Sequence, residues 1–224
     1  MSEIFGQILL LGVAVTLSPF PILAVVPIIS SSQRVSRAWA FFAGWAMGLM
    51  LTGGLSIALF RAIEAGGDDS GTSLWVSIMR ALLGVGMLGL AAKSWIKRPR
   101  PGAPYQQPGW MLRLADISIG RSFGLGALLS GANPKIILFS IGVGAAIAGA
   151  ELALPLQLTG LILYVVLGCI GTAIPVSLAT FGGAASRDRI GQFGGWMEQN
   201  SSLIGALIFL LIGVKLIGDS IAYW

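Results

Sequence analysis

Long apolar runs, each about the length of a bilayer crossing, alternate with short polar stretches along this chain. Six runs stand out, at residues 4–29, 39–60, 74–96, 123–148, 155–181 and 203–223. About 20 apolar residues in a helix cross a hydrocarbon core. Lipid offers no partner to a bare peptide group, so only helices suit such runs. The pattern predicts an all-α integral membrane protein with six transmembrane helices in one domain, residues 1–224.

Composition agrees with that reading. Hydrophobic residues make up 55% of the chain and charged residues only 10%, and mean hydropathy is +0.86. A soluble domain carries about a quarter charged residues, so there are too few here to coat a globular surface. The chain has one cysteine, Cys169, and no histidine. This excludes an internal disulfide or a CxxC pair and argues against a soft-metal site. The net charge is +5. In a membrane protein that excess marks cytoplasmic loops rather than nucleic acid. The opening MSEIFGQ has Glu3 and no early basic residue, unlike a cleaved signal peptide.

The basic residues set an orientation. Arg34 and Arg37 follow the first run; Lys97, Arg98, Arg100 and Arg113 follow the third; Arg187 and Arg189 follow the fifth. The alternate loops carry mostly Glu64, Asp68, Asp69 and Glu151. The positive-inside rule then predicts both termini outside and three basic loops in the cytoplasm. The longest loop, residues 97–120, begins Pro-rich and extended. Its second half, 110–117, reads either as a short interfacial helix or as a solvated linker.

The runs also look duplicated. "TLSPFPILAVVPI" in the first resembles "LLSGANPKIILFSI" in the fourth, and a slide of 113 positions sets Pro21 on Pro134. "LSIALF" (55–60) resembles "VSLATF" (176–181). Residues 1–96 and 121–224 would then be two three-helix units. Three crossings per unit invert the second copy, giving the 3+3 inverted repeat of many transporters. Pro19 and Pro21 are expected to break helix 1, and Pro134 to break helix 4. Pro175, after Gly171 and Thr172, is expected to add a third discontinuity.

Lys135 is the costliest residue in the pattern. It lies far from both ends of its run, and a charge at the bilayer centre costs about 3 kcal/mol or more. None of the nine acidic residues lies near the middle of a run. The ammonium either faces a wet cavity, loses its proton, awaits an anionic group or snorkels to an interface. Hard cations want carboxylate oxygens, which the mid-membrane regions lack; a carbonyl-only site at the breaks stays open for a monovalent ion. The predicted binding set is Ser18, Pro19, Phe20, Pro21, Ser130, Asn133, Pro134, Lys135, Thr172 and Pro175. Ser18 and Ser130 also read simply as partners for freed backbone.

Residues 17–48, "LSPFPILAVVPIISSSQRVSRAWAFFAGWAMG", resemble the opening of the Sap/GAP family, the sulfolipid- and peptidoglycolipid-addressing proteins. Residues 108–135, "PGWMLRLADISIGRSFGLGALLSGANPK", resemble that family's proline-tryptophan-methionine stretch leading into Asn-Pro-Lys. Here Gly109 separates Pro108 from Trp110, and Ile136 stands where an asparagine is more typical. Asn133-Pro134-Lys135 is similar to a core shared across the lysine-exporter (LysE) superfamily. The resemblance implies a plasma (inner) membrane protein aiding export of cell-envelope glycolipids beside a larger lipid exporter.

Three functions are therefore expected in competition. One is a transporter-like protein for anionic or polar lipids. Another is a LysE-type exporter of small, amino-acid-like solutes. The third is a non-transporting partner of a larger exporter, its 32 glycines suiting close helix packing, including a homo-oligomer. Enzyme activity is not expected, because the chain shows no nucleophile–base pair, metal set or phosphate loop. No cofactor is expected either.

Overall fold

The computed structural model describes residues 2–30, 35–65, 69–98, 114, 117–150 and 152–221, and among these every regular element is a helix. The helices are α1 (Ser2–Thr16), α2 (Pro19–Ser30), α3 (Val35–Ala65), α4 (Asp69–Ile96), α5 (Ile119–Gly131), α6 (Pro134–Ala148), α7 (Leu154–Phe181) and α8 (Gly183–Ile221). Four are long and apolar enough to cross a membrane. The count reaches six if each bent pair, α1–α2 at 42° and α5–α6 at 59°, is one span.

Both expected breaks are present, but their register differs from the sequence match. Pro19, not Pro21, begins α2 as Pro134 begins α6. Proline is tolerated through the first turn of a helix, where its missing N–H has no carbonyl to serve. Pro21 therefore sits inside α2 without ending it. Pro175 also fails to interrupt its helix: α7 runs unbroken from Leu154 to Phe181. The Thr172 hydroxyl donates to the Cys169 carbonyl nearby (2.9 Å), and packed neighbours hold the turn, as membrane helices allow.

A third difference concerns residues 183–202. They were expected to form a basic loop, yet they open a single helix of 39 residues. Gly183, at φ +69°, makes the turn out of α7, a conformation open to glycine at little cost. Ile190 and Met197 are buried, and Gly194 packs on Val26 of α2. The interfacial helix expected at 110–117 lies almost wholly outside the described residues; Leu114 is buried and accepts from the Ile117 amide (3.3 Å).

Glycine sets the helix packing. A side chain at Gly44 would collide with the Phe123 carbonyl, and one at Gly126 with the Phe41 carbonyl, so α3 and α5 touch backbone to backbone. Gly84 and Gly213 approach reciprocally: a Cβ on either would lie 3.0 Å from the other's carbonyl. There Gly84 faces Ile217 while Leu88 faces Gly213, so α4 and α8 run antiparallel. Further packing joins α1 to α7, α3 to α6 and α7, α2 to α7 and α8, and α1 to α6. Phe41, Trp45, Phe139 and Tyr164 fill the centre.

Outward faces are apolar. Leu158, Ile162, Val166, Ile170, Ile174 and Leu178 form an exposed stripe along α7. In water such a stripe would be unfavourable; against lipid tails it is not. Exposed Trp39, Trp95 and Trp196 lie near the α3 start, the α4 end and the polar half of α8, and the Arg98 guanidinium stacks 3.9 Å over Trp95. Exposed tryptophans near the ends of apolar helices are what a membrane interface favours.

Gly44→Ala and Gly126→Ala are each expected to lower stability by about 1–3 kcal/mol, the usual cost of overpacking. Gly86→Ala, with nothing within 4 Å of the added carbon, is expected to be neutral. Thermal unfolding in detergent checks this; equal midpoints for all three would remove the close α3–α5 contact.

Candidate functional site at the two helix breaks

Asn133 makes the second break a regular helix start. It takes the N-cap position of α6, its Oδ1 accepting from the Lys135 amide (3.0 Å), with Pro134 next in the first turn. Its carbonyl accepts from Ile137 N (2.9 Å), while Ala132 N closes α5 on Leu128 O (2.8 Å). The start of α6 is thus capped within the break, and one carbonyl of the last turn of α5 is met there. Ser130 is buried, and its hydroxyl donates to the Gly126 carbonyl (2.9 Å). It sits against Gly48 of α3, where no side chain fits.

Lys135 turns away from that contact. Its Nζ lies 4.6 Å from the centre of the Phe209 ring on α8, within cation–π range. A Cβ at Gly205 would be 3.7 Å from Nζ and equally near Ser94 Oγ. Helical side chains lean toward the N-terminus of their helix. The ammonium accordingly reaches toward the end where α4 stops, the side of the basic 97–120 loop. Among the described residues it makes no ion pair.

The first break is chemically different. Leu17 N bonds Val13 O (2.9 Å) and Ser18 N bonds Val15 O (3.0 Å), tightening the end of α1. Ser18 is fully buried, yet among the described residues its Oγ has no hydrogen-bond partner. An unmet buried hydroxyl costs about 1–3 kcal/mol. Pro19 and Pro21 are buried, whereas Phe20 is 47% exposed. Thr16 Oγ1 donates to the Leu167 carbonyl of α7. Gly171 of α7 lies flat against the Thr16 carbonyl, bringing Thr172 and Pro175 to this break.

The ten predicted residues therefore fall in three places. Ser18–Pro21 follow Thr16, which packs on Gly171 of α7, one residue before Thr172 and four before Pro175. Ser130 packs on Gly48 of α3, and Asn133 and Pro134 follow it in the break. Lys135 meets α8 and the last turn of α4. The spans are linked, since α1 packs on α6 and α2 touches α5. A separate cavity of about 10 Å³, room for roughly one water, lies between α1 and α8 beside Gln7 and Lys215.

Sequence reasoning missed a buried hydroxyl chain. Tyr164 OH lies 3.0 Å from Ser140 Oγ, which lies 2.9 Å from Thr52 Oγ1. Thr52 Oγ1 is also 2.9 Å from the Gly48 carbonyl, to which it can donate. Trp45 Nε1 donates to Gly168 O (3.0 Å). These polar groups clip α3, α6 and α7 together beside the second break. Their only signal was polarity at isolated positions within apolar runs.

Such a bundle, with apolar outer faces, four helices long and apolar enough to cross a membrane and two bent helix pairs, is that of a polytopic membrane protein. The chain belongs to the Sap, sulfolipid-1-addressing protein, family, which matches residues 8–222. No curated protein and no solved structure matches it.

Asn133→Ala is expected to cost about 1 kcal/mol through loss of the cap, and Asn133→Ser much less. Unfolding midpoints in detergent compare them; equal losses would mean that the cap is not what the side chain contributes.

Proposed function

We propose that the protein is a six-span, plasma-membrane transporter-like protein that assists export of anionic envelope lipids, with Lys135 engaging the headgroup. One observation carries this reading: an ammonium among apolar helices, seated on Phe209, with no ion pair among the described residues. Buried charges of this kind are costly and are kept for function. The family's sulfolipid description fits an anionic lipid headgroup. The break residues around Pro19–Pro21 and Asn133–Lys135 form the route past the bilayer interior.

A 3+3 inverted repeat fits the packing. Exchange of α1–α4 with α5–α8 turns α3-on-α5 into α7-on-α1, α3-on-α6 into α7-on-α2, and α4-on-α6 into α8-on-α2; each of these pairs is packed. The α4–α8 and α3–α7 pairs map onto themselves, and the reciprocal Gly84–Gly213 approach is what a twofold axis between them would produce. With Pro19 equated to Pro134, Gly131 against Gly48 corresponds to Thr16 against Gly171. Inverted repeats of broken helices are a transporter architecture, and the resemblance of Asn133-Pro134-Lys135 to the LysE core supports reading this one as a LysE-type fold.

Lys135→Met is expected to lower surface display of the envelope lipid about tenfold or more, the scale of one lost charge-assisted hydrogen bond. Lys135→Arg is expected to retain part of it. Unchanged display at equal protein abundance would exclude the lysine from the mechanism. Topology has its own check in a Cys169→Ser background. A membrane-impermeant maleimide is expected to label Asp68→Cys and Glu151→Cys on intact cells, and Ser32→Cys and Gln106→Cys only after permeabilisation. The opposite pattern would invert the orientation.

A further inference from the structure

The two breaks carry opposite chemistry. At the second, Lys135 and the capped start of α6 supply positive charge and donors. At the first, prolines strip donors away. Pro19 and Pro21 have no N–H, so two of the first three residues of α2 contribute nothing to its positive end. In a continuous helix Pro21 would have served the Leu17 carbonyl, which therefore loses its donor. Val15, the counterpart for Pro19, is served instead by Ser18 N (3.0 Å).

The same deletion recurs across the contact. Pro175 cannot serve the carbonyl of Gly171, four residues back. Gly171 is the residue pressed on the Thr16 carbonyl, its missing side chain letting the backbones meet. Beside it, Thr172 Oγ1 spends its proton on Cys169 O (2.9 Å) and keeps its lone pairs. Ser18 Oγ is fully buried with no partner among the described residues. The α1–α7 junction is thus rich in oxygen acceptors and poor in donors, at the negative end of the α1 dipole.

We propose that this junction binds a hard monovalent cation, sodium or potassium, through oxygens of Thr16, Leu17, Ser18, Gly171 and Thr172. Oxygen-only coordination suits a hard cation, and unwound carbonyls with a half-helix C-terminus are the usual means of holding one without a carboxylate. A divalent ion would demand charged ligands; among the described residues no cluster of three or more Asp, Glu, His or Cys exists. The site gives the protein a link to an ion gradient, separate from the lysine on the other broken span. The inference rests on the bent α1–α2 pair being a membrane-buried span, as proposed above, but not on the lipid assignment.

Purified protein in lipid-free detergent tests it, with thermal unfolding followed in sodium, potassium or N-methylglucamine chloride at matched ionic strength. A site in the native state raises the midpoint with the logarithm of free cation above its Kd. We expect sodium or potassium, but not N-methylglucamine, to do so. Ser18→Ala is expected to raise the apparent Kd about tenfold, the scale of one lost oxygen ligand. Pro175→Ala removes no oxygen but returns a donor to Gly171, and is expected to weaken the shift in the same direction. Gly86→Ala serves as the control. Equal midpoints in all three salts would overturn the proposal. So would a cation-dependent shift that survives intact in Pro175→Ala and, if that protein folds, in Ser18→Ala. Lipid display in the Lys135 variants fails or holds independently of this result.

Discussion

A peptide group inside hydrocarbon must find its partner within the protein, and the rest of this structure follows from that demand. Unbroken helices meet it locally. The two interrupted pairs cannot, and each is therefore pressed against a continuous helix, the α1–α2 break on α7 and the α5–α6 break on α3. Both contacts are made at a glycine, Gly171 and Gly48, because only a bare α-carbon lets backbone approach backbone so closely. The small residues are thus a consequence of the breaks rather than a separate packing preference.

Once the breaks are held this way, polarity is left at a few defined points. The Asn133 cap closes the start of α6 with short local bonds, leaving the Lys135 ammonium as the feature that needs an outside explanation. At the other break the local bonds are incomplete, and a buried hydroxyl is left over. The Tyr164–Ser140–Thr52 chain fixes the scaffold between them, so each feature is presented on a rigid frame.

Much of this was legible from the chain alone. Blocks of apolar residues gave the helices, and prolines 19 and 134 marked the interruptions. The register of the first break was misjudged because Pro21 is as acceptable in an opening turn as Pro19. Pro175 was over-read for a related reason: one missing donor does not end a membrane helix whose neighbours take up the strain. The first half of α8 was hidden by its glycines and charges. Its buried positions, Ile190, Gly194 and Met197, do fall at helical spacing, but Gly194 packs on Val26 of α2, a partner that no local pattern reveals. The seat of Lys135 on Phe209 was invisible for the same reason.

The length of α8 has a mechanical meaning. At 1.5 Å per residue its 39 residues extend about 58 Å, nearly twice the roughly 30 Å of a hydrocarbon core. Near one end Gly194 bears on the half-helix that follows the first interruption; farther along, Phe209 holds the lysine that follows the second. One continuous helix therefore touches the segments that follow both interruptions, and a tilt of it would be felt at each of them together.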